Sequence, residues 1–135
     1  MITGFTCGTF DLFHAGHILM LKECKEQCDH LIVGIQTNPH LDRKDKNKPI
    51  QSIVERQIEV SACKYVDDII VYETEEDLNV LLCTLPINVR FIGKDWEGKQ
   101  ITGGDICKRR GIEIVYNKRD HPFSTTELKE RIKCS

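Results

Sequence analysis

The run HLIVGIQ, residues 30–36, constrains the fold of this chain more than any other stretch. It is nearly continuous apolar sequence, so a strand built from it must be covered on both faces. Such strands lie in the middle of parallel sheets with helices above and below. The flanking segments agree. ITGFTC (2–7), DDIIVY (67–72), VRFIG (89–93) and IEIVY (112–116) are short and β-prone. Helical segments alternate with them: HAGHILMLKECKEQ (14–27), IVERQIEVSACKY (53–65), TEEDLNVLLCTL (74–85), GDICKRRG (104–111) and STTELKERIK (124–133). Ser52 with Glu55 forms a capping-box pattern, and Ser124 or Thr125 caps the last helix. The order βαβαβαβαβα predicts an α/β fold, a Rossmann-like open five-stranded parallel sheet with helices on both faces. Residues 1–135 are expected to form one domain. Ligands of such sheets sit beyond the carboxyl ends of the strands, where the strand order reverses. The polar stretches 37–51, 94–103 and 117–123 read as loops at that same edge.

Charge narrows the partners. A net charge of −2 carries no footprint for nucleic acid or an anionic membrane, while a small anion needs only a local positive site. No stretch approaches the roughly 20 apolar residues of a spanning helix, and the start MITGFTCGTF lacks the pattern of a secretory leader. The expectation is a cytoplasmic protein with no membrane insertion. Seven cysteines, an odd number without any Cys-x-x-Cys, read as reduced thiols packed as small hydrophobes. Cys24 and Cys28 are four apart but have no companion pair at zinc spacing, so no protein metal ligand is assigned.

GTFDLFHAGH, residues 8–17, sits at the end of the first strand. Gly8 offers a tight turn and close backbone approach to a ligand. Thr9 and Phe10 follow with free amides, and Asp11 brackets the helix start. Gly16 leaves room beside the first helical turn. His14 and His17 are three apart and share one helix face. They stand at a helix N-terminus, where free amides and the helix dipole favour anions. Two imidazoles there can donate hydrogen bonds to phosphate oxygens on which charge builds during nucleotidyl transfer. The chain has neither a P-loop nor a Gly-x-Gly-x-x-Gly turn.

GTFDLFHAGH resembles the signature of the small cytidylyltransferases within the nucleotidyltransferase superfamily. KYVDDII (64–70), GKDWEG (93–98) and STTELKERI (124–132) match the same family in the same order, so the resemblance runs nearly the full length. It is most similar to the glycerol-3-phosphate type. The resemblance implies transfer of a cytidylyl group from CTP to a phospho-alcohol, with release of pyrophosphate and Mg²⁺ arriving with the triphosphate. His14, His17, Lys44, Lys46 and Arg119 are then the catalytic set. Gly8, Thr9, Phe10, His14, His17, Lys46, Asp95, Arg119, Ser124, Thr125 and Thr126 contact the nucleotide. Asp11 and Lys44 face the acceptor, with Lys48 a substitute among the lysines. A homodimer is implied through the segment that begins at Lys64 and Tyr65.

Several residues keep a plainer alternative. The loop DRKDKNK reads by itself as a solvated charged stretch, and Ser124 and Thr125 as helix caps. Trp96 either stacks near the base or fills the core, and the core is the expectation. The family's Arg-Thr-x-Gly-Ile-Ser-Thr-Thr block reads RDHPFSTT here, with Asp120 and Pro122 in place of threonine and glycine. Similar enzymes carry a basic residue on the helix after the third strand. Here no Lys or Arg falls between Lys64 and Arg90, and that helix opens with Glu73, Glu75, Glu76 and Asp77. An acceptor bearing an amine, such as phosphoethanolamine or phosphocholine, is one reading of that difference. The rivals are an adenylyltransferase on the same scaffold and a non-catalytic nucleotide-binding domain.

Overall fold

The computed structural model describes residues 1–135. Its strands are β1 (Thr3–Gly8), β2 (His30–Gln36), β3 (Asp68–Tyr72), β4 (Val89–Gly93) and β5 (Glu113–Asn117). The helices are α1 (Ala15–Lys25), α2 (Pro39–Asp42), α3 (Ile53–Ser61), α4 (Glu75–Thr84), α5 (Gly104–Arg110) and α6 (Thr125–Cys134). All strand pairings are parallel, in the order β3-β2-β1-β4-β5. The predicted sheet is therefore present, and the order reverses between β1 and β4.

Strand β2 is buried from Leu31 to Gln36, as its composition requires. Leu31, Val33 and Ile35 pack with Leu21 and Cys24 of α1 and Val60 of α3. Ile32 turns the other way and joins Phe5, Leu78, Leu82 and Ile106 beneath α4 and α5. Two apolar layers thus clamp the sheet, the arrangement that drives such folds. Strand β1 pairs with β2 along its whole length, Thr3 to His30 through Gly8 to Ile35, so the ends of both strands arrive at one edge.

The caps follow the sequence. Ser52 and Glu55 form a reciprocal capping box on α3, Thr74 and Asp77 do the same on α4, and Ser124 caps α6. Three details differ from expectation. The loop 37–51 contains α2, nucleated by Pro39 at its first position and by the Asn38 side chain accepting from the His40 amide. Residues Lys94–Trp96 form a 3₁₀ turn. Helix α3 stops at Ser61 rather than continuing to Tyr65, because the amides of Cys63 and Val66 bond back to Val60 and Cys63 and reverse the chain into β3.

One side chain ties the functional edge together. Arg56 on α3 is only 2% exposed. Its Nη1 donates to the carbonyls of Gln36 (2.6 Å) and Thr9 (3.1 Å). Its Nη2 donates to Thr37 (2.6 Å) and its Nε to Gln51 (3.2 Å). A buried guanidinium is tolerated only when its protons are used in this way. The Asp11 carboxylate completes the join by accepting from the amides of Ile50 and Gln51.

Replacing Arg56 with leucine strands those carbonyls in a dry environment. The expected loss is about 3 kcal/mol of unfolding free energy, read as a lower urea midpoint at unchanged slope. A midpoint equal to wild type would remove Arg56 from this role.

Candidate active site

A cleft of about 680 Å³ opens over the carboxyl ends of the strands at the β1–β4 reversal. Gly8, Thr9, His14, His17, Arg119, Ser124 and Thr125 line it. So do Cys7, Gln36, Arg43, Tyr72, Glu75, Arg90 and Thr102, a group linked through the contacts of Arg43 with Glu75 and of Thr102 with Glu75 and Arg90.

The two histidines are held by the backbone of α1. His14 is the N-cap, and its Nδ1 accepts from the Gly16 amide at 3.0 Å. The His17 Nδ1 accepts from the His14 amide at 3.2 Å. A backbone amide can only donate, so both Nδ1 atoms are bare and each neutral ring carries its proton on Nε2. His14 Nε2 lies 3.0 Å from Thr125 Oγ1, joining the starts of α1 and α6. The rings are 4.0 Å apart between centroids. Phe13 stacks on His17 and Phe10 leans against it, each 5.5 Å away.

That apolar packing sets the charge. Burial, with help from His14 and against the pull of Asp11, lowers His17 from 6.5 to about 4. His14 is also lowered, by burial and then by the nearby charges of His121 and Arg119. Both rings are neutral donors at neutral pH. Gly16 is required by close approach. A Cβ there would fall 2.8 Å from the Phe123 carbonyl oxygen and 2.8 Å from the His14 ring.

The turn expected at Gly8 is displaced along the chain. Phe10 and Leu12 take the left-handed conformation, at φ 54° and 51°. This puts the Phe10 ring into the core beside α1, behind His17 rather than in the cleft wall. Arg119 is likewise left-handed at φ 46°, and its Nη1 pairs with Asp95 at 3.3 Å. Strain of this kind gathers at binding sites.

The predicted residues divide. Gly8, Thr9, His14, His17, Asp95, Arg119, Ser124 and Thr125 share the cleft. Asp11 is bonded to residues 50 and 51, and Thr126 is exposed beyond the wall. Lys44, Lys46 and Lys48 are exposed on the loop after α2 and do not line the cleft. Arg43 from the same loop lines it instead. Trp96, expected in the core, is 42% exposed on the cleft rim, because the 3₁₀ turn lifts it off the sheet. Arg90 and Arg43 were not singled out from the sequence as site residues. The available signal was Arg90 itself, a charge inside the apolar strand VRFIG.

Comparison with known proteins agrees with this geometry. Residues 5–131 match the cytidylyltransferase-like family profile. The chain is 37% identical to glycerol-3-phosphate cytidylyltransferase of Bacillus subtilis over 94% of both chains. It is 33% identical to the bifunctional protein HldE of Nitrobacter hamburgensis over 95% of its own length. It spans only about a quarter of that relative, 26%. Among solved structures, the lipopolysaccharide core biosynthesis protein of Thermoplasma volcanium superposes with a TM-score of 0.72 at 25% identity, covering 87% of this chain and 97% of the other. The matched profile, a relative aligned over nearly its full length and the shared fold together place the chain in the cytidylyltransferase-like family of nucleotidyltransferases.

Proposed function

We propose that this protein transfers a cytidylyl group from CTP to the phosphate of a phospho-alcohol, with glycerol-3-phosphate the first candidate. The observation that carries the proposal is the pair of neutral imidazoles lining the cleft, each with its Nδ1 tied to a backbone amide so that its proton sits on Nε2, which in His14 meets the Thr125 hydroxyl. The similarity to the Bacillus subtilis enzyme supports CTP and glycerol-3-phosphate as the pair to test.

The chemistry suits donors rather than bases. An oxygen of the acceptor phosphate attacks the α-phosphorus, the bond from that phosphorus to the bridging oxygen of the β-phosphate breaks, and pyrophosphate leaves. The attacking phosphate is already ionised near neutral pH, so no group must remove a proton. Charge grows on the non-bridging and leaving oxygens, where fixed Nε2–H donors lower the barrier. His14 and His17 take this role at the start of α1, whose free amides add to it. Arg119 grips the polyphosphate when it leaves Asp95, and Ser124 and Thr125 supply hydroxyls and the amides opening α6. Thr9 lines the nucleotide side.

Mg²⁺ fits this site as an ion carried by the substrate. No group of three or more His, Cys, Asp or Glu side chains is placed to hold a metal. The ion would keep phosphate oxygens and water as ligands, with Asp95 and Asp120 as carboxylates lining the cleft beside Arg119. It supplies charge neutralisation of the triphosphate.

Pyrophosphate release with Mg²⁺, CTP and glycerol-3-phosphate is the expected activity, assayed beside ATP and beside phosphoethanolamine and phosphocholine. His14→Ala and His17→Ala are each expected to lower kcat by about 10²-fold or more, the scale of a lost transition-state donor. Turnover surviving in both variants would reject the donor role. Tight CTP binding without turnover on any acceptor would favour a non-catalytic domain.

The histidines also give a pH prediction. His17 is lowered to about 4 in the folded chain, while the unfolded chain takes up the proton near 6.5. Stability from this residue is thus present above 6.5 and is lost as pH falls towards 4. His17→Gln is expected to flatten the difference in melting temperature between pH 6.5 and 4. Long-range ¹H–¹⁵N spectra should show the Nε2–H tautomer for both rings. An Nδ1–H ring at either position would contradict the assignment.

A further inference from the structure

One wall of the cleft holds an unbalanced charge. Arg90 rises from β4 and is only 5% exposed. One of its Nη groups donates to the Thr102 carbonyl, but its buried Nε has no partner. Arg43, arriving from the loop after α2, also buries an Nε without a partner. Only Glu75 answers them from the start of α4. Its Oε1 lies 3.9 Å from Arg43 Nη1 and accepts from the Thr102 hydroxyl at 3.1 Å.

The thiol and phenol beside them, on Cys7 and Tyr72, are neutral. Burial raises the Cys7 thiol above its ordinary range against the pull of Arg90, and burial likewise raises Tyr72. Two guanidiniums therefore face one carboxylate. Orphaned, buried guanidinium donors are costly and call for an anionic acceptor of hydrogen bonds. Planar forks of this type match phosphate better than a lysine does.

We propose that Arg43 and Arg90 bind the phosphate of the acceptor alcohol, and that Glu75 and Thr102 face its hydroxyl groups. This rests on the transfer reading of the cleft and names its second substrate pocket. It also replaces the basic residue missing from α4: the cation comes from β4 and from the loop after α2. The acceptor is then a phosphorylated polyol rather than an aminated alcohol. With two guanidiniums beside one carboxylate, an ammonium group would meet net positive charge here.

The test uses the full chain and two readouts. Titration calorimetry follows glycerol-3-phosphate, phosphoethanolamine and inorganic phosphate binding to wild type, Arg43→Met, Arg90→Met and Arg90→Lys. A separate titration follows CTP. The expected result is glycerol-3-phosphate affinity reduced at least about tenfold in each methionine variant, the scale of a lost charge-assisted bond, and only partly restored by lysine. CTP affinity should stay within about twofold, and phosphoethanolamine should bind more weakly than glycerol-3-phosphate to wild type. Arg43→Met lies on a loop and carries the test if Arg90→Met loses its cooperative melt. Unchanged glycerol-3-phosphate affinity in the folded variants, or no phosphate binding to wild type, overturns the proposal. Turnover distinguishes the two readings. Phosphate binding lost in the variants with no transfer by wild type leaves the pocket and rejects the transferase. Transfer with a normal acceptor KM in Arg43→Met rejects the pocket and leaves the transferase.

Discussion

The buried Arg56 guanidinium is the constraint on which the active edge depends. Four carbonyls, from Thr9, Gln36, Thr37 and Gln51, converge on it. They belong to the segment after β1, the end of β2 and the turn before α3, three places that meet where the β1–β2 ladder ends. A single planar fork satisfies them together, which a flexible ammonium would do poorly. With Thr9 fixed, the chain passes through left-handed Phe10 and Leu12 and delivers His14 to the head of α1. The bonds to Asp11 and from Leu12 to Gln51 hold that turn from the other side.

From this frame the chemistry follows without a mobile proton. The first turn of α1 spends two amides on imidazole Nδ1 atoms. Helix starts ordinarily leave such amides to a cap or to water. Here the caps are themselves the functional rings, so the same bonds that end the helix also select the tautomer. Packing against Phe10 and Phe13 keeps His17 uncharged, and burial with the nearby charges of His121 and Arg119 does the same for His14. Neutral, oriented donors suit a reaction whose nucleophile is already an anion, because no ring has to remove a proton from it.

Much of this was legible in the residues. The apolar run 30–36 dictated a central strand, and the spacing of His14, Gly16 and His17 marked a helix start facing a ligand. The Ser52–Glu55 pair announced α3. What escaped was tertiary. Nothing local distinguishes Arg43, whose side chain reaches the cleft, from Lys44, whose side chain stays in solvent. The direction of each depends on α2, one turn set by Asn38 and Pro39 inside a stretch that reads as loop. Trp96 was assigned to the core by its size, yet the 3₁₀ turn after β4 carries it to the rim. Arg56 and Arg90 show the same limit in reverse. Both are charges on segments that face the core, and only the three-dimensional positions of distant carbonyls give them partners.

The central claim is that these donors promote attack by a substrate phosphate on the α-phosphorus of a nucleoside triphosphate. Phosphorus-31 spectroscopy with ¹⁸O-labelled glycerol-3-phosphate and CTP tests it most directly. The account predicts a new diphosphate diester whose bridging oxygen carries the label, together with unlabelled pyrophosphate. Free CMP without a labelled bridge, or label recovered in the pyrophosphate, would contradict it.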